Sequence, residues 1–140
     1  MVRLPDRSQL LPTWQAMSPA RRAWEVLGAP LGWGLVCGLV LGASGGLYLL
    51  CAVISTVGGI NAGAQHTRYR DALLRGVSGG LLLGVAILAG FALSGAEDPK
   101  VDLPDPRLAL LALTTIPSLP LSAIGCWLGR ALRGVARQRR

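Results

Sequence analysis

A four-helix transmembrane bundle is the fold class this chain predicts. Three observations carry it: long stretches without charge, a glycine-rich reversal inside the longest of them, and arginines gathered where such a bundle would place one membrane face. The chain has 140 residues, 51% hydrophobic and only 15% charged, a balance far from that of a water-solvated domain. No charged residue lies between Glu25 and His66, between Arg75 and Glu97, or between Arg107 and Arg130, leaving gaps of 40, 21 and 22 residues. A helix of about 20 apolar residues crosses the hydrocarbon core. The last two gaps therefore hold one span each, and the first is long enough for two.

Residues 1–18 read as an irregular or surface-lying N-terminal segment, with Pro5 and Pro12 and with Leu10, Leu11, Trp14 and Met17 as its apolar members. Pro5, Asp6, Pro12 and Glu25 interrupt what would otherwise resemble a cleavable leader, so the first apolar segment is expected to stay in the mature protein. Ser18-Pro19 is a helix start, a capping hydroxyl followed by proline at the first helical position. The first helix is expected over 19–42, with Arg21, Arg22 and Glu25 at the membrane surface. Pro30 should bend it or mark its true beginning. Gly42-Ala43-Ser44-Gly45-Gly46 then offers a turn, because glycine permits the backbone angles that reverse a helix.

The second helix is placed at 47–64 and the third at 72–96, joined by the polar turn Gln65 to Asp71. An extended, exposed acidic loop follows, with Glu97, Asp98, Asp102 and Asp105 among Pro99, Pro104 and Pro106. The fourth helix, 108–129, contains Pro117 and Pro120, which remove two backbone donors and should kink it. Residues 130–140 form a basic tail with five arginines, whose expected partner is the anionic lipid headgroup surface. Trp24, Trp127 and Tyr48 fit interfacial belts, and Trp33 lies deeper as a packing residue.

Charge decides between four crossings and the alternative of three transmembrane helices. With four, Arg3, Arg7, Arg21, Arg22, Arg68, Arg70, Arg75, Arg130, Arg133, Arg137, Arg139 and Arg140 share one side, against Lys100 and Arg107 on the other. The positive-inside rule then puts both termini in the cytoplasm of a multi-pass inner-membrane protein. Three crossings would put the termini on opposite sides and erase the bias. The 13 arginines against one lysine, with heavy use of Ala, Gly and Leu, suggest a bacterium with a GC-rich genome.

Glycine spacing is the most pronounced motif. Gly34, Gly38 and Gly42 recur every four residues in the first helix, as do Gly76, Gly80 and Gly84 in the third, while Gly59 and Gly63 close the second. Such stripes let helix backbones approach closely, which matters because helices in lipid associate through van der Waals contact. The reading taken is packing of the first helix on the third; an oligomerisation or docking face is the functional alternative. Asn61 is the one side-chain amide within a span and is expected to hydrogen-bond another helix or the backbone, or else to line a polar pathway.

His66, Arg68, Tyr69, Arg70, Asp71 and Arg75 form the one concentrated polar cluster, expected as a solvated, topology-fixing loop or as an anion or lipid-headgroup contact. Cationic neighbours should push the charged form of His66 to lower pH. Cys37, Cys51 and Cys126 sit in apolar runs without a paired CxxC or a histidine at ligand spacing, so they read as packing residues; no metal or cofactor is expected.

Gly58-Gly59-Ile60-Asn61-Ala62-Gly63, the polar turn after it and the spaced glycines Gly76, Gly80 and Gly84 resemble a group of small four-helix prokaryotic membrane proteins of uncharacterised function. That group shares a GGxxAG ending to its second helix and a glycine-rich third helix, and the resemblance implies four spans and no particular activity. The chain is also similar in size to bacterial fluoride channels and small multidrug transporters. It lacks the Phe-rich broken third helix of the former and the membrane-embedded glutamate of the latter. With no nucleophile beside a base and no carboxylate pair in a span, enzymatic activity is not expected. Nucleic-acid binding is not expected either, because the basic residues flank apolar runs and are not interleaved with exposed aromatics. What remains is a structural or accessory subunit, in a homo-oligomer or a larger membrane complex, or alternatively a small oligomeric channel or transporter.

Overall fold

The structure, a computed structural model, describes residues 13–105 and 107–138, the side chains of 135–138 excepted. Expectations that fall on residues 1–12, on Pro106 and on the last two arginines lie outside the described residues. Four helices are each long and apolar enough to cross a membrane: α1, Pro19–Ala43; α2, Gly45–Ala64; α3, Tyr69–Leu93; and α4, Ala109–Gln138. Among the described residues a 3-10 turn, Trp14–Ala16, precedes them. The fold is thus an all-helical four-span bundle, and the three-crossing alternative falls because the first long gap holds two separate helices.

The start of α1 follows from Ser18, whose hydroxyl accepts the amide of Arg21 at 3.3 Å. Pro30 neither begins the helix nor breaks it. Instead the five residues before its turn, Trp24–Gly28, adopt π-helical winding, with the amide of Ala29 bonded to the carbonyl of Trp24. The cause is local. Proline at 30 has no N–H to give and its ring crowds the carbonyl four residues back, so the helix widens by one residue ahead of it. The carbonyl of Glu25 thereby loses both candidate donors, since the Ala29 amide is spent on Trp24 and Pro30 has none.

Between α1 and α2 only Ser44 is non-helical, and it is extended, with φ −155° and ψ 121°. Its amide satisfies the carbonyl of Val40, and its hydroxyl caps α2 by accepting the amide of Leu47 at 3.5 Å. The expected use of glycine for unusual backbone angles is corrected here, because among the described residues only Gly95 has positive φ, at 69°. Gly42 and Gly45 serve close approach instead. A Cβ on Gly42 would lie 2.4 Å from the hydroxyl of Ser94, and one on Gly45 2.8 Å from the carbonyl of Lys100.

α3 begins earlier than expected, at Tyr69, and stops at Leu93, where Gly95 turns the chain out. The following loop is exposed at Glu97, Asp98, Asp102 and Asp105. It is pinned to the bundle by the Lys100 amide, which donates to the carbonyl of Leu41 at 3.1 Å, and by Val101 and Leu103 against the core. α4 runs unbroken through Pro117 and Pro120 and continues to Gln138, so the basic tail begins as helix rather than as a separate segment.

Sequence neighbours are not the closest partners in space. The tight pairings are α1 with α3, α3 with α4 and α2 with α4, whereas α2 meets α1 and α3 only lightly. α3 is the hub. In its most apolar window 39% of residues are buried, against 11% for α2. The apolar core of Cys37, Leu41, Cys51, Ile87, Phe91 and Leu110 sits toward the acidic-loop end. At the other end the described start of the chain, the α2–α3 turn and the late part of α4 converge: Trp14 donates its amide to Gln65, and Arg133 donates to the carbonyls of Ala64 and His66.

Candidate functional site

The glycine positions explain both what packs and what stays open. Gly34, Gly38 and Gly42 of α1 face α3 and its C-terminal end; a Cβ on Gly38 would lie 2.6 Å from the backbone nitrogen of Phe91 and 2.8 Å from Cα of Gly90. The stripe of α3 does not answer them. Gly76, Gly80 and Gly84 lie against α4, with a Cβ on each within 2.6–2.7 Å of Ser122, Thr115 and Thr114 respectively. The first helix does pack on the third, as expected, but only the α1 stripe lies in that contact; the α3 stripe faces α4. Gly59 and Gly63 of α2 face Leu121 and Ser122, and Gly125 and Gly129 of α4 reciprocate against Ile60 and Ala64.

Hydroxyls exploit the closeness of α3 and α4. Ser118 donates to the carbonyl of Gly76 at 2.7 Å, and the hydroxyl of Thr114 lies 2.9 Å from that of Gly80. Because glycine leaves its own carbonyl uncovered, a short polar side chain on the facing helix can reach it.

α1 and α3 thus touch closely toward the acidic end, from Gly34 to Gly42, while α2 and α4 touch closely toward the arginine-rich end, from Gly59 to Gly63. Between pairs that converge at opposite ends a space remains. It is a cavity of about 610 Å³ to which all four helices contribute. Along α1 its wall runs from Glu25 to Cys37, and along α3 from Arg75 to Ile87. Either stretch of 12 steps corresponds to about 18 Å of helix. The wall is mainly apolar, with Pro30, Leu83, Leu113 and Leu121, and it is crossed midway by a hydrogen bond from Trp33 Nε1 to Ser55 Oγ at 2.8 Å. Several wall residues are also exposed on the outside of the bundle, Ile54 at 47% and Leu113 at 60%, so the cavity opens through the side of the molecule.

At the arginine-rich end of the cavity the structure brings together residues 50 apart in sequence. The guanidinium of Arg75 donates to the carbonyl of Glu25, the one orphaned by the π turn. Its Nε is buried and has no partner among the described residues. Asn61 also belongs to this wall, but it is exposed and makes no interhelical bond among the described residues, unlike the expected buried amide.

The polar cluster of the sequence is dispersed. Arg68, Arg70 and Asp71 are exposed, Arg75 turns into the cavity, and His66 is buried at 6% exposure. The His66 ring stacks on Trp14, centroids 5.2 Å apart, and its Nε2 has no partner among the described residues. Burial pushes the imidazole below its ordinary pKa; Asp71 opposes and Arg75 adds to that shift. Gln65 lies buried beside it in a small polar pocket of about 70 Å³, its Oε1 also without a partner among the described residues.

Glu25, Trp33 and Ser55 were not singled out as site residues from the sequence. Pro30 by itself marks the carbonyl of Val26, four residues back; the orphan moves to Glu25 only through the π turn, so no sequence signal pointed to it. Among the described residues, no three of His, Cys, Asp and Glu stand close enough to share a metal ion. Compared with known protein families, characterised proteins and solved structures, the chain finds no match.

Proposed function

We propose that this chain is a small non-enzymatic membrane protein that holds the acyl chain of a membrane lipid in the cavity between its helices. One observation carries the reading: an apolar space of about 610 Å³, within the range of ligand pockets, opens through the wall of a four-span bundle. Its length of about 18 Å is close to one leaflet, half of the roughly 30 Å hydrocarbon core. A ligand entering sideways from lipid would exchange one apolar environment for another, so selection must come from shape and from the few polar groups on the wall. In this reading the protein sits in the bacterial inner membrane with both termini cytoplasmic, and the arginine-rich end contacts anionic headgroups.

The test is native mass spectrometry of the protein purified in mild detergent, with and without Ala52→Phe, which adds bulk at the cavity wall. The expected result is one retained lipid per chain in the wild type and loss of it in the variant at unchanged thermal stability. Equal retention in both, or none in the wild type, refutes the proposal.

A second reading, an accessory subunit in a homo-oligomer or larger membrane complex, draws support from α2. That helix packs lightly on α1 and α3 and leaves Leu49, Leu50, Val53 and Val57 exposed at 56–63%. Docking would then use this face, since the glycines named from the sequence face helices of the same chain. Stoichiometric copurification of a second membrane protein, abolished by Val53→Arg, is the result that would favour it.

A further inference from the structure

We infer that Glu25 and Arg75 form a headgroup subsite for a zwitterionic phospholipid, with the phosphate on the guanidinium of Arg75 and a primary ammonium on the carboxylate of Glu25. The inference rests on the lipid-holding reading above and names the ligand class of the same cavity.

Both residues line the cavity at its arginine-rich end. Arg75 stands six residues into α3, counted from Tyr69, and Glu25 six residues into α1, counted from Pro19. Each is thus about 9 Å along its helix from the same end of the bundle. α3 has 25 residues, about 37 Å of helix, which centred on a core of roughly 30 Å overhangs by about 4 Å at each end. This depth therefore lies about 5 Å inside the hydrocarbon, from where a long side chain reaches the headgroups. The two side chains make no direct hydrogen bond to one another among the described residues. Among the described residues the guanidinium spends its one hydrogen bond on the main-chain carbonyl of Glu25, not on the carboxylate, and its Nε is buried without an acceptor.

Charged groups at this depth are costly unless paired. Arg75 offers a planar fork of donors suited to a phosphate. A purely anionic headgroup would satisfy Arg75 but bring like charge to Glu25. A ligand that carries both signs on one short headgroup satisfies both, and a primary ammonium can also donate to the carboxylate. The apolar wall beyond, with Leu83 and Leu121, takes the acyl chain.

The experiment is lipid competition on the purified full chain, read by native mass spectrometry. Phosphoethanolamine and phosphoglycerol lipids with identical acyl chains are offered at equal concentration, and the matching diacylglycerol in a third arm. The wild type should bind the ethanolamine lipid about tenfold over the glycerol lipid, one charge-assisted hydrogen bond's worth. Glu25→Gln should bring the two to parity by weakening the ethanolamine lipid to the level of the glycerol lipid. Arg75→Gln should remove the advantage of both phospholipids over diacylglycerol, and Arg75→Lys should restore most of it. Lipid bound by the wild type with no headgroup preference overturns the subsite and leaves the cavity reading standing. Preference undiminished in Glu25→Gln also overturns it. A wild type that retains no lipid at all overturns both. The wild-type competition needs no variant to fold.

Discussion

Replacing Gly38 with alanine isolates the contact on which the α1–α3 pairing rests. The added Cβ would stand 2.2 Å from the carbonyl oxygen of Ile87, 2.6 Å from the nitrogen of Phe91 and 2.8 Å from Cα of Gly90. A relaxed carbon-to-oxygen contact is about 3.3 Å or more, so the helices must separate by about 1 Å. All three neighbours are main-chain atoms, and no rotamer change relieves the clash. α3 must move as a body. A gap of about 0.5–1 Å already forfeits a quarter to a half of each dispersion contact, and overpacking of this kind typically costs about 1–3 kcal/mol. Against that, alanine is the better helix former by about 1 kcal/mol. The net expectation is a loss of about 1 kcal/mol, and at most about 2. Gly32→Ala supplies the control on the same helix: a Cβ there meets nothing within 4 Å, so the propensity gain of up to about 1 kcal/mol should appear undiminished. Reversible unfolding in bicelles, comparing wild type with each variant, measures both. If the two variants lie within about 0.5 kcal/mol of one another, close backbone approach is not what holds α1 to α3.

Ser118→Ala removes the hydroxyl that reaches the carbonyl of Gly76 at 2.7 Å, and unfolding in the same bicelles should show a loss of about 0.6 kcal/mol, with a ceiling near 1.7. His66 makes stability depend on pH. Because its folded pKa is lowered by burial, the unfolded chain takes up the proton first, near the ordinary value of about 6.5. The stability tied to neutral His66 is therefore full above that value and declines as pH falls below it toward the folded pKa. A thermal-melting series across this window should show the decline in the wild type and a flatter profile in His66→Gln; matching slopes would contradict the burial argument.

Much of the architecture was legible along the chain because its cause is local in sequence. Span number follows from uncharged length, and the helix start at Ser18-Pro19 from a cap that acts within three residues. The acidic, proline-bearing loop is exposed at the four carboxylates expected to be so. The turn at Ser44 was placed correctly but for the wrong reason, since its glycines make room for Ser94 and Lys100 rather than adopt unusual angles. The polar cluster misled for a related reason. Residues 66 to 75 are contiguous in sequence, but once Tyr69 starts a helix their side chains radiate around its axis, and only Arg75 of the set reaches the cavity wall.

What the sequence by itself determined is the number of spans, the reach of each and which residues are small enough to permit contact. Hydropathy and residue volume are properties of each segment alone, so they survive any arrangement of the segments. Which stripe meets which helix depends on the whole packing. Gly76, Gly80 and Gly84 suit any close neighbour, and only the assembled bundle assigns them to α4 while Gly34, Gly38 and Gly42 go to α3. The cavity is a product of that assignment: two tight crossings at opposite ends leave a volume that belongs to no single helix. The contact between Arg75 and Glu25 exists only there. A π turn sets a carbonyl free, and a helix starting more than forty residues later delivers the donor.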